Sequence, residues 1–568
     1  MPAVSSPATG NRPSPLACEA CRLRHLKCDG VSPICGRCAA QSVTCNYTPS
    51  RRGRGRRAHR RATSPPPQPP LPPLATPATP VSLSNGPIHP QSGSIPASSS
   101  LNTSTPWSLR AADRDRLVGL FYSHFFRAHP FLVPKTSYVA QQYPRYLDLA
   151  VCFVGLHYAK PALADAASLR EAVSVAMSEI DEHTVHRVQA LILYAIVLHS
   201  SQRAEEAASC IARASTIATG LGMNTPEFAL ANANANVNGS PVIAESLRRT
   251  WWELHTVDVY TAAINRRPVY ETLSVVSYPL LPCNQKLYEA GQCYDHDPPT
   301  LRVFEDRVFS RNPYQNFSSM CYRIEAIRVV GRVLAVAADD DADPDNVQAL
   351  DNALASWEHH LPPVYADVVG LSGEVDLMLF EARCFISCAS IFLHFPRSDL
   401  PATVPSTSHI ACAKGYTPLT PTSRHHTIKA IAASKDLSNL ATIPWPLERH
   451  SPFFICCLVL GCVVQLAACS THVHQCGLDC LQQHRDRVVL MLGALQRLGE
   501  IWPLAHNAVQ CLKSAAETIF ASCSGQDDAA LEAFSFQYPT TGDGIGLANS
   551  QWFDLLFAAP VQDNLADM

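Results

Sequence analysis

CEACRLRHLKCDGVSPICGRCAAQSVTC, residues 18–45, carries six cysteines in a spacing that repeats itself: Cys18-x2-Cys21-x6-Cys28, a six-residue spacer, then Cys35-x2-Cys38-x6-Cys45. Two tetrahedral zinc ions need eight ligand positions, and six thiolates fill eight only when two of them bridge the metals. A binuclear cluster is therefore the economical reading. Its core of six thiolates and two dications is left with two negative charges, which neighbouring basic side chains can offset. The competing reading of six cysteines is a disulfide scaffold with fifteen connectivities. The first residues, MPAVSSPATGNRPSPLA, contain no apolar core of a signal sequence, and the other sixteen cysteines are scattered through apolar segments, as expected of reduced thiols. Spacing and compartment favour metal.

The two halves of the repeat differ in charge. Arg22, Arg24, His25 and Lys27 lie between Cys21 and Cys28, whereas Ala39 to Thr44 carries no charge, so only the first half is built to meet a polyanion. Residues 51–61 then hold seven arginines, Arg51, Arg52, Arg54, Arg56, Arg57, Arg60 and Arg61, a segment suited to tracking phosphates or to nuclear import. Residues 1–62 contain twelve basic and two acidic side chains, net +10, within a chain of net −3; the basic head is masked in the overall balance.

The stretch ACEACRLRHLKCDGVSPICGRCAAQSVTCNYTPSRRGR, residues 17–54, resembles the fungal binuclear zinc-cluster transcription factors: the spacing, the basic first half, Pro33 and the trailing arginines all match. The resemblance implies two zinc ions per chain held by Cys18, Cys21, Cys28, Cys35, Cys38 and Cys45, with Cys18 and Cys35 bridging. It implies a short helix after the second cysteine that enters the major groove of double-stranded DNA over a CGG-like triplet. By position Arg24 and His25 would face base edges, while Arg22, Lys27, Arg51, Arg52 and Arg54 would contact the DNA backbone. The family usually carries lysine where this chain has His25. A lysine is a fixed cation that donates, whereas a histidine near neutral pH can donate or accept, so the CGG triplet is an expectation.

The resemblance continues in LFYSHFFRAHPFLVP (120–134), VQALILYAIVLHS (188–200) and ESLRRTWWELHTVDVYTAAINRRP (245–268), where Arg248, Arg249, Trp251, Trp252 and Asp258 match a recurrent pattern of the family's middle homology region. Physically, Trp251, Trp252 and Leu254 read as the buried face of a helix, with Arg248 or Arg249 pairing with Asp258 or with helix ends. Leu117, Leu120, Phe121 and Phe125 share one helical face, as do Val185, Val188, Leu191, Ile192 and Ala195. Residues 203–220 read as a helix stopped by Gly220 and Gly222 that pairs with the helix before it.

The fold class is thus mostly α: a disordered start (1–14), a small zinc-cluster DNA-binding module (15–50), a basic segment (51–61), a disordered Pro/Ser-rich linker (62–107), a large all-helical regulatory domain (108–523) and an acidic, aromatic tail (524–568). The linker holds thirteen prolines and no charge between Ala62 and Pro106, which forbids the coiled coil by which many relatives dimerise; a homodimer would need another surface. The tail combines seven acids with the cluster QWFDLLF (551–557), an activation segment fit for a coactivator groove, or else a last helix on the protein's own core.

Other features favour plain structure. Phe453 to Cys469 is apolar enough to suggest a membrane span but reads as a buried bundle helix, and no membrane partner is expected. His472, His474, Cys476, Cys480 and His484 imitate a second metal site; the run Asp339, Asp340, Asp341, Asp343, Asp345 reads as a solvated loop between helices. There is no phosphate loop, zincin helix or nucleophile elbow, hence no catalytic residue and no enzyme. The reading is a nuclear, sequence-specific DNA-binding regulator of RNA polymerase II genes, an activator in output, with a small-molecule effector of the helical domain left open. The alternatives are a metabolite-controlled repressor using the same DNA module, or a nucleic-acid-processing enzyme anchored by it.

Overall fold

A computed structural model describes residues 20–21, 28–29, 31, 34–41 and 43–45, then 109–524 except 164, 180–181, 235–239, 294–297, 310–316, 338, 340–341, 371, 402–403, 405, 411, 414–417, 420–421 and 473–477. The readings of the start, the basic segment, the linker and the acidic tail fall outside these residues. The chain divides into two units, Met1–Ser100 and Leu101–Met568. In the first, Ala20 and Cys21 are helical, and a second short helix is α1, Gly36–Ala40.

The second unit is helical, as expected. Among the described residues no strand forms, and only an isolated antiparallel bridge joins Val369 to Val375. Its principal helices are α2 (Ala111–Leu120), α3 (Arg145–Leu156), α4 (Ala166–Glu179), α5 (Val185–Ser200), α6 (Ala204–Gly220), α7 (Pro241–Ile264), α8 (Ser319–Ala337), α9 (Pro344–His359), α10 (Leu377–His394), α11 (Arg424–Leu440), α12 (Phe453–His472), α13 (Leu478–Gly499) and α14 (Pro503–Ser524). Most packing joins helices near in sequence: α5 packs on α6, α10 on α11, α11 on α12 and α12 on α13, while α8 reaches past α9 to α10 and α12 past α13 to α14. A single continuous apolar core runs from Leu117 to Ile519, so sub-bundles with separate cores are not what the chain builds.

Local chemistry sets the boundaries. Thr184 caps α5 by accepting from Arg187 N at 3.1 Å, and Arg187, itself buried, donates to the carbonyls of Ala176 (3.0 Å) and Met177 (2.7 Å) at the end of α4. The stop of α6 is the expected one, with Gly222 at φ +78°. The acidic run begins, as read, between the end of α8 at Ala337 and the start of α9 at Pro344, while Asp345 falls in the first turn of α9. Asp343 caps α9 by accepting from Asp345 N at 3.0 Å, and Pro344 opens the helix, because proline's missing N–H is no loss in the first turn. On α5 the structure buries every residue from Arg187 to Ser200 rather than one face, since α3, α6, α7 and α14 all pack around it.

Two helices, Leu377–Arg397 and Phe453–Thr471, are long and apolar enough to cross a membrane, but 83% and 94% of their apolar windows are buried in this core. The apolar surface that a bilayer would take up is already consumed by packing.

Candidate metal centre

The site is organised by Cys35, which lies just before α1 and caps it. Its sulfur accepts from Cys38 N at 3.4 Å, while its own N–H donates to the sulfur of Cys45 at 3.3 Å. Cys21, Cys35 and Cys38 are 2%, 0% and 4% exposed, and their sulfurs lie within 4.8 Å of one another. Cys35 also belongs to a second such group with Cys28 and Asp29, so its sulfur faces both halves of the repeat. The described sulfurs therefore converge from positions up to 24 residues apart on one small buried volume.

The spacing fits zinc. The sulfurs of Cys21 and Cys35 are 3.8 Å apart, and two sulfurs ~2.3 Å from one tetrahedral zinc stand about 3.8 Å from each other. Disulfide-bonded sulfurs would be at about 2 Å, so this geometry is that of co-ligands. N–H donors aimed at Cys35 and Cys45 are what thiolate ligands want in their surroundings.

Asp29 is a residue the sequence reading passed over. Its carboxylate accepts from Gly36 N at 2.8 Å and from Val31 N at 3.4 Å, tying the loop between the halves to the start of α1. A Cβ at Gly36 would meet Asp29 Oδ2 at 2.6 Å, so glycine is what permits this approach. The signal was present as Asp29-Gly30 beside the third cysteine, a turn pair read only as charge. Cys18 and the DNA-facing candidates Arg22, Arg24, His25, Lys27, Arg51, Arg52 and Arg54 lie outside the described residues.

Of the second metal candidate, the side chains of Cys480 and His484 are described. His484 is buried and pairs with Gln465 Oε1 at 2.6 Å through Nδ1, while its Nε2 lies 3.6 Å from Cys480 Sγ. His474 and Cys476 lie outside the described residues, as does the His472 side chain.

The two-arginine, two-tryptophan motif sits in α7. Trp251, Trp252 and Leu254 are buried as read, with Trp252 Nε1 donating to Leu280 O at 3.3 Å. The pairing of Arg248 or Arg249 with Asp258 is corrected: both arginines pair with Glu245, at 3.1 and 2.7 Å. Asp258 is nine residues beyond Arg249, ~14 Å along a helix, whereas Glu245 is one turn away. Arg249 also donates to Pro130 O (3.2 Å) and Cys283 O (2.9 Å) and stacks on Tyr288 with 4.0 Å to the ring centroid. Asp258 instead accepts from Thr272 N at 2.7 Å and Glu271 N at 3.2 Å, closing the turn after α7. Burial pushes the Asp258 carboxyl above its ordinary value, and these donors only partly offset it.

Comparison with known proteins agrees with this geometry. Residues 16–54 match the Fungal Zn(2)-Cys(6) binuclear cluster domain, and residues 118–359 match the Fungal specific transcription factor domain. The chain is 30% identical to a C6 finger domain transcription factor, iacK, of Pestalotiopsis fici, across 92% of this chain and 82% of that one. Two further relatives match over short stretches. They are a Citrinin biosynthesis transcriptional activator, mrl3, of Monascus ruber, 54% identical over 39 residues (7% of this chain, 8% of that one), and Transcription factor tazR of Aspergillus terreus, 44% identical over 57 residues (10% and 9%). No solved structure matches the chain.

Proposed function

The chain belongs to the fungal binuclear zinc-cluster transcription factors, and from that premise we propose how it reads DNA and which way it drives transcription. Two zinc ions would be held by Cys18, Cys21, Cys28, Cys35, Cys38 and Cys45 and would supply the fixed positive charge that shapes residues 18–45; the family resemblance gives Cys18 and Cys35 a shared role, and the place of Cys35 in two ligand groups supports its part in it. Arg24 and His25 face base edges in the major groove over a CGG-like triplet. Arg22, Lys27, Arg51, Arg52 and Arg54 neutralise phosphate and fix the register without reading sequence. The protein acts in the nucleus on RNA polymerase II genes, and the acidic, aromatic tail makes it an activator by offering hydrophobic anchors to a coactivator. The relative named an activator matches over only 39 residues, 7% of this chain, so that word carries little weight for the whole of it. Dimerisation, where it occurs, uses a surface of the helical unit, because the linker is too rich in proline for a coiled coil. The family matched over residues 118–359 and the relative aligned along most of the chain are named for transcription, and the reading assigns this protein no reaction.

The observation that carries this reading is the convergence of the described cysteine sulfurs at co-ligand spacing in a chain that aligns along most of its length with a transcription factor. Selection of bound oligonucleotides from a random pool at stated salt tests it. Arg24→Ala should change the selected triplet, whereas replacing Arg51, Arg52 and Arg54 together by glutamine should weaken all sequences alike and lower the slope of log K against log salt by ~3. Equal losses on every probe for both variants would remove the division between reading and anchoring.

A further inference from the structure

We propose that Asp29 is a positioning residue of the metal centre, whose carboxylate fastens the chain just after Cys28 to the chain just after Cys35, so that the two halves of the cysteine repeat take up their ions together. The proposal rests on the reading of the six cysteines as ligands of two zinc ions. Asp29 follows Cys28 directly, and Gly36 follows Cys35 directly. Gly36 N donates to Asp29 Oδ2 at 2.8 Å, and the other carboxylate oxygen accepts from Val31 N at 3.4 Å. The first residue of the spacer is thus tied, seven positions along the chain, to the first turn of α1 in the second half.

The tie leads to Cys35, which is bound into the second half on its other side. Its N–H donates to Cys45 Sγ at 3.3 Å and its sulfur accepts from Cys38 N at 3.4 Å. The line from Cys28 through Asp29 and Gly36 to Cys35 therefore joins ligands of both halves. The sulfurs of Cys28 and Cys35 and a carboxylate oxygen of Asp29 all lie within 4.8 Å of one another. Attraction to the sulfurs does not hold the carboxylate there, because a carboxylate and a thiolate carry the same charge. Backbone N–H donors hold it, and a charged acceptor makes such bonds about twice as strong as a neutral one. Ligands gathered around one ion thus carry the other half into place, and the ordering cost of the loop is met once for both ions.

Gly36 gives an independent handle on the same carboxylate. A Cβ there would meet Asp29 Oδ2 at 2.6 Å and Asp29 Cγ at 3.8 Å and, outside α1 and its own neighbours, no other atom within 4 Å. Gly36→Ala therefore acts through Asp29, whose carboxylate must move off Gly36 N. With Asp29 replaced by alanine, the atom that the Cβ would strike is gone, and alanine in place of glycine suits a helix. Two substitutions that act through one contact are non-additive, whereas unrelated losses of folding add. Asp29 is exposed, so its worth falls at the low end of the roughly 10–100-fold by which outer-shell groups change metal affinity.

Full-length protein stripped of metal under reducing conditions is titrated with zinc, and native mass spectrometry counts the ions on each molecule. The unsubstituted chain should pass from none to two with little of the one-ion form. Asp29→Ala should still reach two ions, but through a populated one-ion form and at about tenfold more free zinc. Asp29→Asn, whose amide oxygen keeps one acceptor, should fall between. Gly36→Ala alone should weaken loading, and on top of Asp29→Ala it should add no further loss. Loading of Asp29→Ala like that of the unsubstituted chain, or additive losses in the double variant, overturns the proposal. Cobalt(II)-loaded protein separates positioning from ligation: visible absorption bands unchanged in Asp29→Ala support the proposal, and shifted bands would make Asp29 a ligand and overturn it. An unsubstituted chain that holds fewer than two ions would instead overturn the reading of the cysteines on which the proposal rests.

Discussion

Arg323 keeps its guanidinium where water does not reach, 1% exposed, held by Glu381 at 2.6 Å and by Glu253 at 3.1 Å, while His129 Nδ1 donates to the other oxygen of Glu253 at 2.7 Å. Ser451 completes the chain on His129 Nε2 at 2.9 Å. One residue thus ties α7, α8 and α10 to the segments before α3 and α12. Burial pushes the Glu253 carboxyl up, but Arg323 and His129 outweigh it and bring it down to about 2; on Glu381 burial wins and the carboxyl lies above its ordinary value. Glu253 therefore contributes stability that is fully present above its unfolded value of 4.5 and is lost as pH falls from there towards 2, where the unfolded chain binds the extra proton. Glu381 contributes in the opposite sense, its share being lost as pH rises through its raised value. Arg323→Ala leaves two buried carboxyls facing each other and should cost about 3–5 kcal/mol at pH 7. Urea midpoints at pH 7 and pH 4 test this, and the penalty should shrink at pH 4 as the carboxyls take up protons. A penalty independent of pH would show that lost packing, not charge, is the cause.

At the scale of elements, close approach rather than capping limits what the sequence can change. A Cβ on Gly155 would meet Leu117 O at 2.2 Å, because α2 crosses α3 at that glycine. In α13, a Cβ on Gly493 would meet nothing within 4 Å. Gly155→Ala should therefore destabilise by about 1–3 kcal/mol or more through overpacking, while Gly493→Ala should stabilise by ~0.5–1 kcal/mol through helix propensity. Denaturant midpoints that move the same way for both would undo the distinction. The two glycines look alike in sequence, which marks where legibility ends. The α5–α6 pair, the buried α12 and the tryptophans of α7 were readable because periodicity and a glycine stop act within a few residues. The partners of Arg249 were misread, and the Arg323 cluster was not seen, because Glu253, Arg323 and Glu381 are 58 and 70 residues apart and only the fold joins them. In the metal centre the six-cysteine spacing was decisive, since a ligand set must converge whatever the backbone does between its members. The role of Asp29, which depends on the local path of the loop, was not.

The whole molecule rests on two unlike sources of stability. Residues 18–45 are short and polar and offer little but cysteine for a core, so the metal must supply the folding energy, ~10–16 kcal/mol for structural zinc in comparable peptides. The helical unit is held by burial of apolar side chains from Leu117 to Ile519, and none of the six cysteines proposed as zinc ligands belongs to it. Its own cysteines are mostly buried between helices, and among the described residues the three-ligand groups suited to a metal fall only in residues 21–38. Stripping zinc with 1,10-phenanthroline should therefore abolish DNA binding in a mobility-shift assay. Over the same titration the thermal melt of the helical circular dichroism signal should stay in place, and returning zinc under reducing conditions should restore binding. If the helical melt instead fell together with DNA binding, a ligand would have to lie inside the helical core, and the assignment of both ions to residues 18–45 would fail.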